Sequence, residues 1–314
     1  MKNSGDILFS RVLVTGANGL VGQALVRVLA AEPRYDVLAT SRDSEFFGAG
    51  ASCGFTTLDV TDHAGVNAVF EDFAPGVVVN CAAMTQVDAC ESDRERCWQV
   101  NVDAVDNLAR QCRTTGTRFV QLSTDFVFDG ENGPYRESDR PRPVNFYGRS
   151  KLASENVSRE AGEGRWSVVR TILVFGSEAR LSRSNIVLWV VGELSAGREI
   201  RVVTDQYRTP TYNADLAAGI ERLIRSNGFG IYHMSGTDLM SVHEFAITIA
   251  DALGLDSSLV RATDGSTFRQ PARRPPRTGF DVTKAVTELG YHPRTVADAL
   301  AHLRPHLPLP SRLP

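Results

Sequence analysis

Short apolar runs and amphipathic stretches take turns along the first half of the chain. Arg11-Val12-Leu13-Val14-Thr15 is rich in β-branched residues and runs straight into Gly16, which predicts a buried strand. Leu20, Val21, Ala24, Leu25, Val28 and Leu29 then recur at helical spacing until Pro33. Val37-Leu38-Ala39-Thr40 and Gly54-Phe55-Thr56-Thr57-Leu58 predict the next two strands. Val66, Val69, Phe70 and Phe73 form a second helical stripe, followed by the strand Val77-Val78-Val79-Asn80. A long helix is predicted over about 91–114, then the strand Arg118-Phe119-Val120-Gln121-Leu122. Another helix runs from Phe146 to about Ala161, and Ser167-Val168-Val169-Arg170-Thr171 makes a sixth strand. Strand alternating with helix implies parallel crossovers, hence an α/β fold built on a doubly wound parallel sheet.

Beyond residue 171 the rhythm breaks, and Gly, Pro and Arg concentrate in 204–211 and 270–279, which predicts a smaller, mixed C-terminal part. The proline-rich end, 305–314, reads as a loose tail. Of the 314 residues 42% are hydrophobic and 23% charged, which excludes a disordered chain. Thirty-four Lys and Arg against 37 Asp and Glu leave no basic excess for nucleic acid. No apolar run approaches a bilayer span, and Met1 to Asp6 opens no signal-peptide core, so no membrane is involved and the expected location is cytoplasmic. The five cysteines form no CxxC pair and have no histidine at zinc spacing, which favours reduced, partly buried thiols and no metal site. Carboxylate-bound Mg²⁺ needs no special spacing and stays open.

Gly16-Ala17-Asn18-Gly19-Leu20-Val21-Gly22 sits between the first strand and first helix. Glycines at that turn let backbone approach a pyrophosphate, and the helix N-terminus aims free N–H groups at the anion. The turn makes 1–170 the dinucleotide-binding (Rossmann) domain, with 212–235 returning to it. Residues 171–211 and 236–304 are then the substrate-binding part. At the end of the second strand an acidic residue would bind a ribose hydroxyl and an arginine a 2′-phosphate. Ser41 and Arg42 come first there, with Asp43 one step late as a pairing partner for Arg42, which points to NADPH and leaves NADH as the alternative.

Tyr147 and Lys151 are four apart at the start of a helix and share one face. A nearby ammonium favours the ionised phenol, which suits a general acid. The fifth strand ends into Ser123-Thr124-Asp125, at the sheet edge where doubly wound folds bind ligands.

Together Gly16 to Gly22, Asn80-Cys81-Ala82-Ala83, Ser123-Thr124-Asp125 and Tyr147-x-x-x-Lys151 resemble the extended short-chain dehydrogenase/reductases. Three longer stretches, 123–130, 147–155 and 205–211, resemble more narrowly the dTDP-4-dehydrorhamnose reductases, and the likeness runs from about Val12 to about Leu303. The resemblance implies hydride transfer to the C4 ketone of a nucleotide-linked 4-keto-6-deoxyhexose. Tyr147 would give the proton, Lys151 would tune it and hold the cofactor ribose, and Thr124 would hydrogen-bond the developing alkoxide. It also implies cofactor contacts from Asp59, Val60, Cys81, Ala82 and Ala83, and a sugar pocket lined by Thr85, Val87, Asp125 and Phe126. Asn101 matches a position on the helix behind the site. A homodimer stays open as the assembly.

Related dehydratases carry Thr-Asp-Glu where this chain has Thr124-Asp125-Phe126, so water elimination lacks its acid/base partner. Two alternatives remain: a nucleotide-sugar epimerase, and a non-catalytic NADP-binding subunit like the regulatory subunit of methionine adenosyltransferase. The chain also departs from the reductase pattern. Leu173 stands where an indole is usual and Phe126 where a phenol is usual, while Arg208 and Arg277 replace uncharged residues. The expectation is that these arginines meet the substrate diphosphate, if they are not simply solvated.

Overall fold

The structure is a computed structural model and describes residues 10–48, 50–181, 184–267 and 270–309; the opening segment Met1 to Asp6 and residues 310–314 of the expected tail lie outside them. Seven strands form one sheet. β1 (Ser10–Thr15) lies between β2 (Tyr35–Ser41) and β4 (Val77–Asn80), with β3 (Gly54–Thr57) beyond β2. On the other side follow β5 (Arg118–Thr124), β6 (Trp166–Thr171) and an edge strand, Gly230–His233. Every pairing is parallel, and the winding reverses between β1 and β4, which opens a crevice at their carboxyl ends.

The helices, in chain order, are α1 (Leu20–Ala30), α2 (His63–Phe73), α3 (Val87–Ser92), α4 (Arg94–Trp98), α5 (Ala104–Thr115) and α6 (Phe146–Val157), then α7 (Ile186–Ser195), α8 (Asn213–Ser226), α9 (Val242–Leu253), α10 (Thr283–Leu289) and α11 (Val296–Leu303). The central strands read as unbroken apolar runs because both their faces are covered. Val12, Val14, Val77 and Val79 pack with α1 and α8, while Leu13 and Val78 pack with α2 and α5. A second core gathers α7, α9 and α11 around Phe175, Val190, Phe245, Ile249 and Leu300. No helix among the described residues is long and apolar enough to cross a membrane.

Four expectations change. The helix foreseen over 91–114 is broken into α3, α4, a π-helical turn at Gln99–Asp103, and α5. Asp93 caps the new start by accepting from the Arg96 N–H, and the wide turn carries Asn101 inward. The helix from Phe146 closes at Val157 and continues as a 3-10 turn, Ser158–Ala161. Ala285, Leu289 and Tyr291, assigned to the substrate part, pack in the first core beside α8. The tail is not loose through 309, because Leu307 and Leu309 insert into the second core and the His306 carbonyl accepts from Ser177.

Candidate active site

The glycine turn is built for close backbone approach. Gly16 has φ +63°, and a Cβ there would lie 2.6 Å from the Ala82 nitrogen. The turn thus presses against Cys81-Ala82 at the end of β4, whose Asn80 is fixed by Thr15 (2.5 Å) and Gln121 (2.8 Å). Gly19 precedes α1 with no side-chain cap, which leaves the N–H groups of Leu20 and Val21 for a ligand. The Asn18 amide reaches Ser41 Oγ (2.9 Å), Asp43 (2.8 Å) and the Glu45 carbonyl (2.9 Å). Asp43 also accepts from Ser41 (3.2 Å), so it serves the turn in place of the expected Arg42 pairing, and Arg42 points into solvent. Asp59, at the far side of β2, is held by Thr61 and faces Arg96 at 3.7 Å, with Val60 buried beside it.

Residues 43–47 also meet 178–180 beside this turn. Arg180 pairs with Glu45 and lies over the Phe47 ring, and Gln23 of α1 donates to the Ala179 carbonyl at 2.8 Å.

α6 brings Tyr147 and Lys151 under the carboxyl ends of β4 and β5. Asn145 caps it by accepting from the Gly148 N–H, and Gly148 is required because a Cβ would strike the Phe126 carbonyl. Tyr147 is 8% exposed, packed among Cys90, Cys97 and the edge of Phe126. Lys151 is 2% exposed, and its Nζ donates to the Leu122 carbonyl at 2.7 Å. Burial pushes its ammonium down to about 8, against the opposing pull of Glu155 and nearby thiols. Behind it, Asn101 donates to the Met84 carbonyl and to Ser150 Oγ (both 3.0 Å) and accepts from the Met84 N–H (2.8 Å). Burial raises Cys81 to about 12, so its thiol stays protonated near the cofactor cleft.

Thr124 ends β5 with its hydroxyl donating to Asp125 at 3.0 Å. Asp125 is itself buried and crowded: Thr278 donates to it at 2.5 Å and Arg208 Nε lies 3.5 Å away. Burial raises the Asp125 carboxyl, with Arg208 and the hydroxyl donors working against that shift.

Arg208 differs from both sequence expectations, being neither solvated nor open to a diphosphate. Its guanidinium donates to the backbone carbonyls of Tyr207 (2.7 Å), Pro275 (2.8 Å) and Pro276 (3.3 Å), and its side chain is 5% exposed. The reason is local: the Pro275 carbonyl takes its hydrogen bond from this guanidinium, which also adds a second donor to the Pro276 carbonyl already paired with the Tyr207 N–H. Arg277 is exposed and stacks over Tyr207 at 5.2 Å. The same strap is clamped at its other end by Arg274, which grips Asp88 of α3 with both nitrogens at 2.6 Å. Thr85 is exposed and Val87 half-buried at the start of α3, and Leu173 holds a left-handed φ of +38° after β6.

One buried cluster escaped the sequence reading. Glu155, one turn beyond Lys151, accepts from Ser123 (2.6 Å) and from two nitrogens of Arg170 (2.9 and 2.7 Å). Arg170 also meets His233 Nε2 at 3.3 Å and the Phe128 ring at 5.1 Å. His233 Nδ1 lies 3.1 Å from the Tyr135 carbonyl, which assigns the ring proton there. Burial and then Arg170 hold that imidazole well below its ordinary range, so it is neutral. A charged residue inside the run Val168-Val169-Arg170 was the available signal, since a buried guanidinium must find a carboxylate.

Comparison with known proteins fits this geometry. The chain is 34% identical over 294 residues to a probable low-salt glycan biosynthesis reductase, Agl14, of Haloferax volcanii, covering 92% of this chain and 96% of that protein. It is 33% identical to methionine adenosyltransferase 2 subunit beta of Bos taurus, covering 91% of this chain and 84% of that one. Among solved structures, dTDP-4-dehydrorhamnose reductase from Bacillus anthracis, in complex with NADP, superposes with a TM-score of 0.83 at 31% identity, covering 94% and 98% of the two chains. The model of the RmlD substrate binding domain matches residues 10–307, and the chain belongs to that family.

Proposed function

We propose that this protein is an NADPH-dependent reductase acting on the C4 ketone of a nucleotide-linked 4-keto-6-deoxyhexose. The observation that carries the reading is the convergence of Tyr147, Lys151 and Thr124 at the carboxyl edge of the sheet, beside the glycine turn. The residues present fit a nicotinamide dinucleotide: Gly16 leaves backbone room that a Cβ would fill, and the α1 N-terminus is uncapped. When bound, the nicotinamide supplies the hydride. Gly19, Leu20 and Val21 would hold the pyrophosphate, Ser41 and Arg42 the 2′-phosphate, and Asp59, Val60, Cys81, Ala82 and Ala83 would flank the adenosine and ribose.

Tyr147 donates its phenolic proton to the ketone oxygen. Lys151, charged below about pH 8, stabilises the phenolate left behind and holds the ribose. Thr124 swings its hydroxyl from Asp125 to the developing alkoxide, an oxyanion-type contact. Thr85, Val87, Phe126 and Leu173 border the sugar, with apolar surface where an indole and a phenol would otherwise stand. Arg277 is the arginine left exposed to meet the diphosphate.

The likeness to the methionine adenosyltransferase subunit favours a second reading, a non-catalytic NADP-binding subunit. Thr124 beside Asp125 argues for the enzyme, because an alkoxide donor has no purpose in a scaffold. A panel of nucleotide-linked keto-sugars, followed by loss of NADPH absorbance, decides between them. Turnover of a 4-keto-6-deoxyhexose supports the reductase; tight NADPH binding with no turnover on any sugar supports the subunit.

A further inference from the structure

Three elements must hold a fixed register for the site to work: the helix with Tyr147 and Lys151, the strand end with Thr124, and the peptide that receives the Lys151 ammonium. One carboxylate, through its neighbour Ser123, ties them together. Glu155 sits on α6 one turn after Lys151, so it moves with that helix. Its Oε1 accepts from Ser123 at 2.6 Å, and Ser123 lies between Leu122, whose carbonyl takes the Lys151 Nζ, and Thr124. Its remaining acceptor capacity goes to Arg170 of β6, a bidentate pair with side chains 2% and 3% exposed. Arg170 is anchored in turn by His233 on the edge strand.

We propose that Glu155 and Ser123 are positioning residues that register the Tyr147/Lys151 helix against the strand end carrying Thr124. Neither touches substrate or cofactor; they act through Lys151 and Thr124, so the inference rests on the functional reading above. A structural ion pair alone would need only Arg170 and Glu155. The Ser123 hydroxyl is the part that ties the pair to the reacting groups.

Glu155 also acts on the charge state of Lys151, opposing the larger effect of burial. The ionisable groups facing that ammonium are Glu155 on its own helix, Cys81 at the end of β4, and Cys90 and Cys97 on α3 and α4. Of these groups Glu155 exerts the largest charge effect, and it favours the ammonium. Removing that charge while Arg170 stays moves the loss of the Lys151 proton to lower pH.

Ser123→Ala is the sharper variant, because it cuts the register bond and leaves Arg170 paired. Expected is a fall in kcat of ~10- to ~100-fold with KM little changed, as for misplaced reacting groups. In Glu155→Gln the basic limb of the pH–rate profile should move to lower pH. So should the pH at which NADPH binding weakens, read by cofactor fluorescence. The binding readout needs no keto-sugar, so it decides the Glu155 part even if the wild type turns over none. Should Glu155→Gln fail to fold, the Ser123→Ala kcat test, which keeps both charges in place, still decides the proposal. Unchanged kcat in Ser123→Ala, or an NADPH-binding pH profile in folded Glu155→Gln identical to wild type, would overturn the proposal.

Discussion

Two buried arginine–carboxylate pairs flank the end of the fifth strand, and they are built differently. Arg170 meets Glu155 through two parallel hydrogen bonds between α6 and β6, beside the Phe128 ring. Arg208 approaches Asp125 with one nitrogen at 3.5 Å and gives its hydrogen bonds to backbone carbonyls of a turn in the C-terminal part. On the proposed reading the first pair backs the proton-transfer groups Tyr147, Lys151 and Thr124. The second lies toward the proposed sugar pocket, where Phe126, Leu173, Arg208 and Arg277 depart from the reductase pattern. On that reading the chemistry is held by registry between helix and strand, and the departures gather in the strap on the sugar side.

The largest effect should come from the proton-transfer side. Tyr147→Phe removes the proposed proton donor and should lower turnover ~10²–10⁴-fold while NADPH binding, measured by fluorescence titration, stays nearly constant. Near-normal turnover would take Tyr147 out of the mechanism and revive the non-catalytic reading. On the sugar side, Arg208→Ala should act first on the fold. It leaves the Asp125 carboxylate buried without its guanidinium and the Pro275 carbonyl without its donor, a loss of ~3–5 kcal/mol of the kind seen when one partner of a buried pair is removed. A denaturant series should show it; a stable variant with only KM raised would return Arg208 to the substrate.

Arg42→Ala sharpens the comparison at the cofactor. Since Arg42 is exposed and Asp43 serves Asn18, its loss should weaken NADPH by ~1.5–3 kcal/mol and NADH far less. Equal losses for both cofactors would assign the ribose reading to Asp43 or Ser41. The smallest effect belongs to Arg277→Ala, whose exposed stacking on Tyr207 is worth ~0.5–1 kcal/mol. A modest rise in KM at constant kcat is expected, and an unaltered KM would leave the diphosphate without this contact.

Much of the frame was legible because parallel strands bury both faces and therefore read as β-branched runs, as Val77-Val78-Val79 does. The edge strand Gly230–His233 offered four residues with a glycine first, too short for periodicity, and only the sheet shows where it docks. The break in the helix foreseen over 91–114 was written in Ser92-Asp93, a cap signal overridden by the apolar stripe around it. The Tyr147–Lys151 pair was legible because helical spacing is local. The Glu155, Ser123 and Arg170 cluster was not, because its members come from a helix and two strands up to 47 residues apart in sequence, joined only by sheet order. Arg208 misled for the opposite reason: charge predicts exposure, and the Asp125 carboxylate and Pro275 carbonyl that hold it inside are far from it in sequence.

The return of the chain to its first core has a consequence for how the protein is made. The apolar face of α1 is covered by Leu216, Ile220 and Leu223 of α8, and that layer is completed by Leu289 and Tyr291. A ribosome that has finished β6 has therefore released most of a sheet but not the helix that shields one of its faces. At ~5–20 residues per second the remaining stretch takes several seconds to more than ten to emerge. Through that interval the nascent sheet carries an open edge and a bare apolar layer, the two surfaces on which unfinished chains stick to one another.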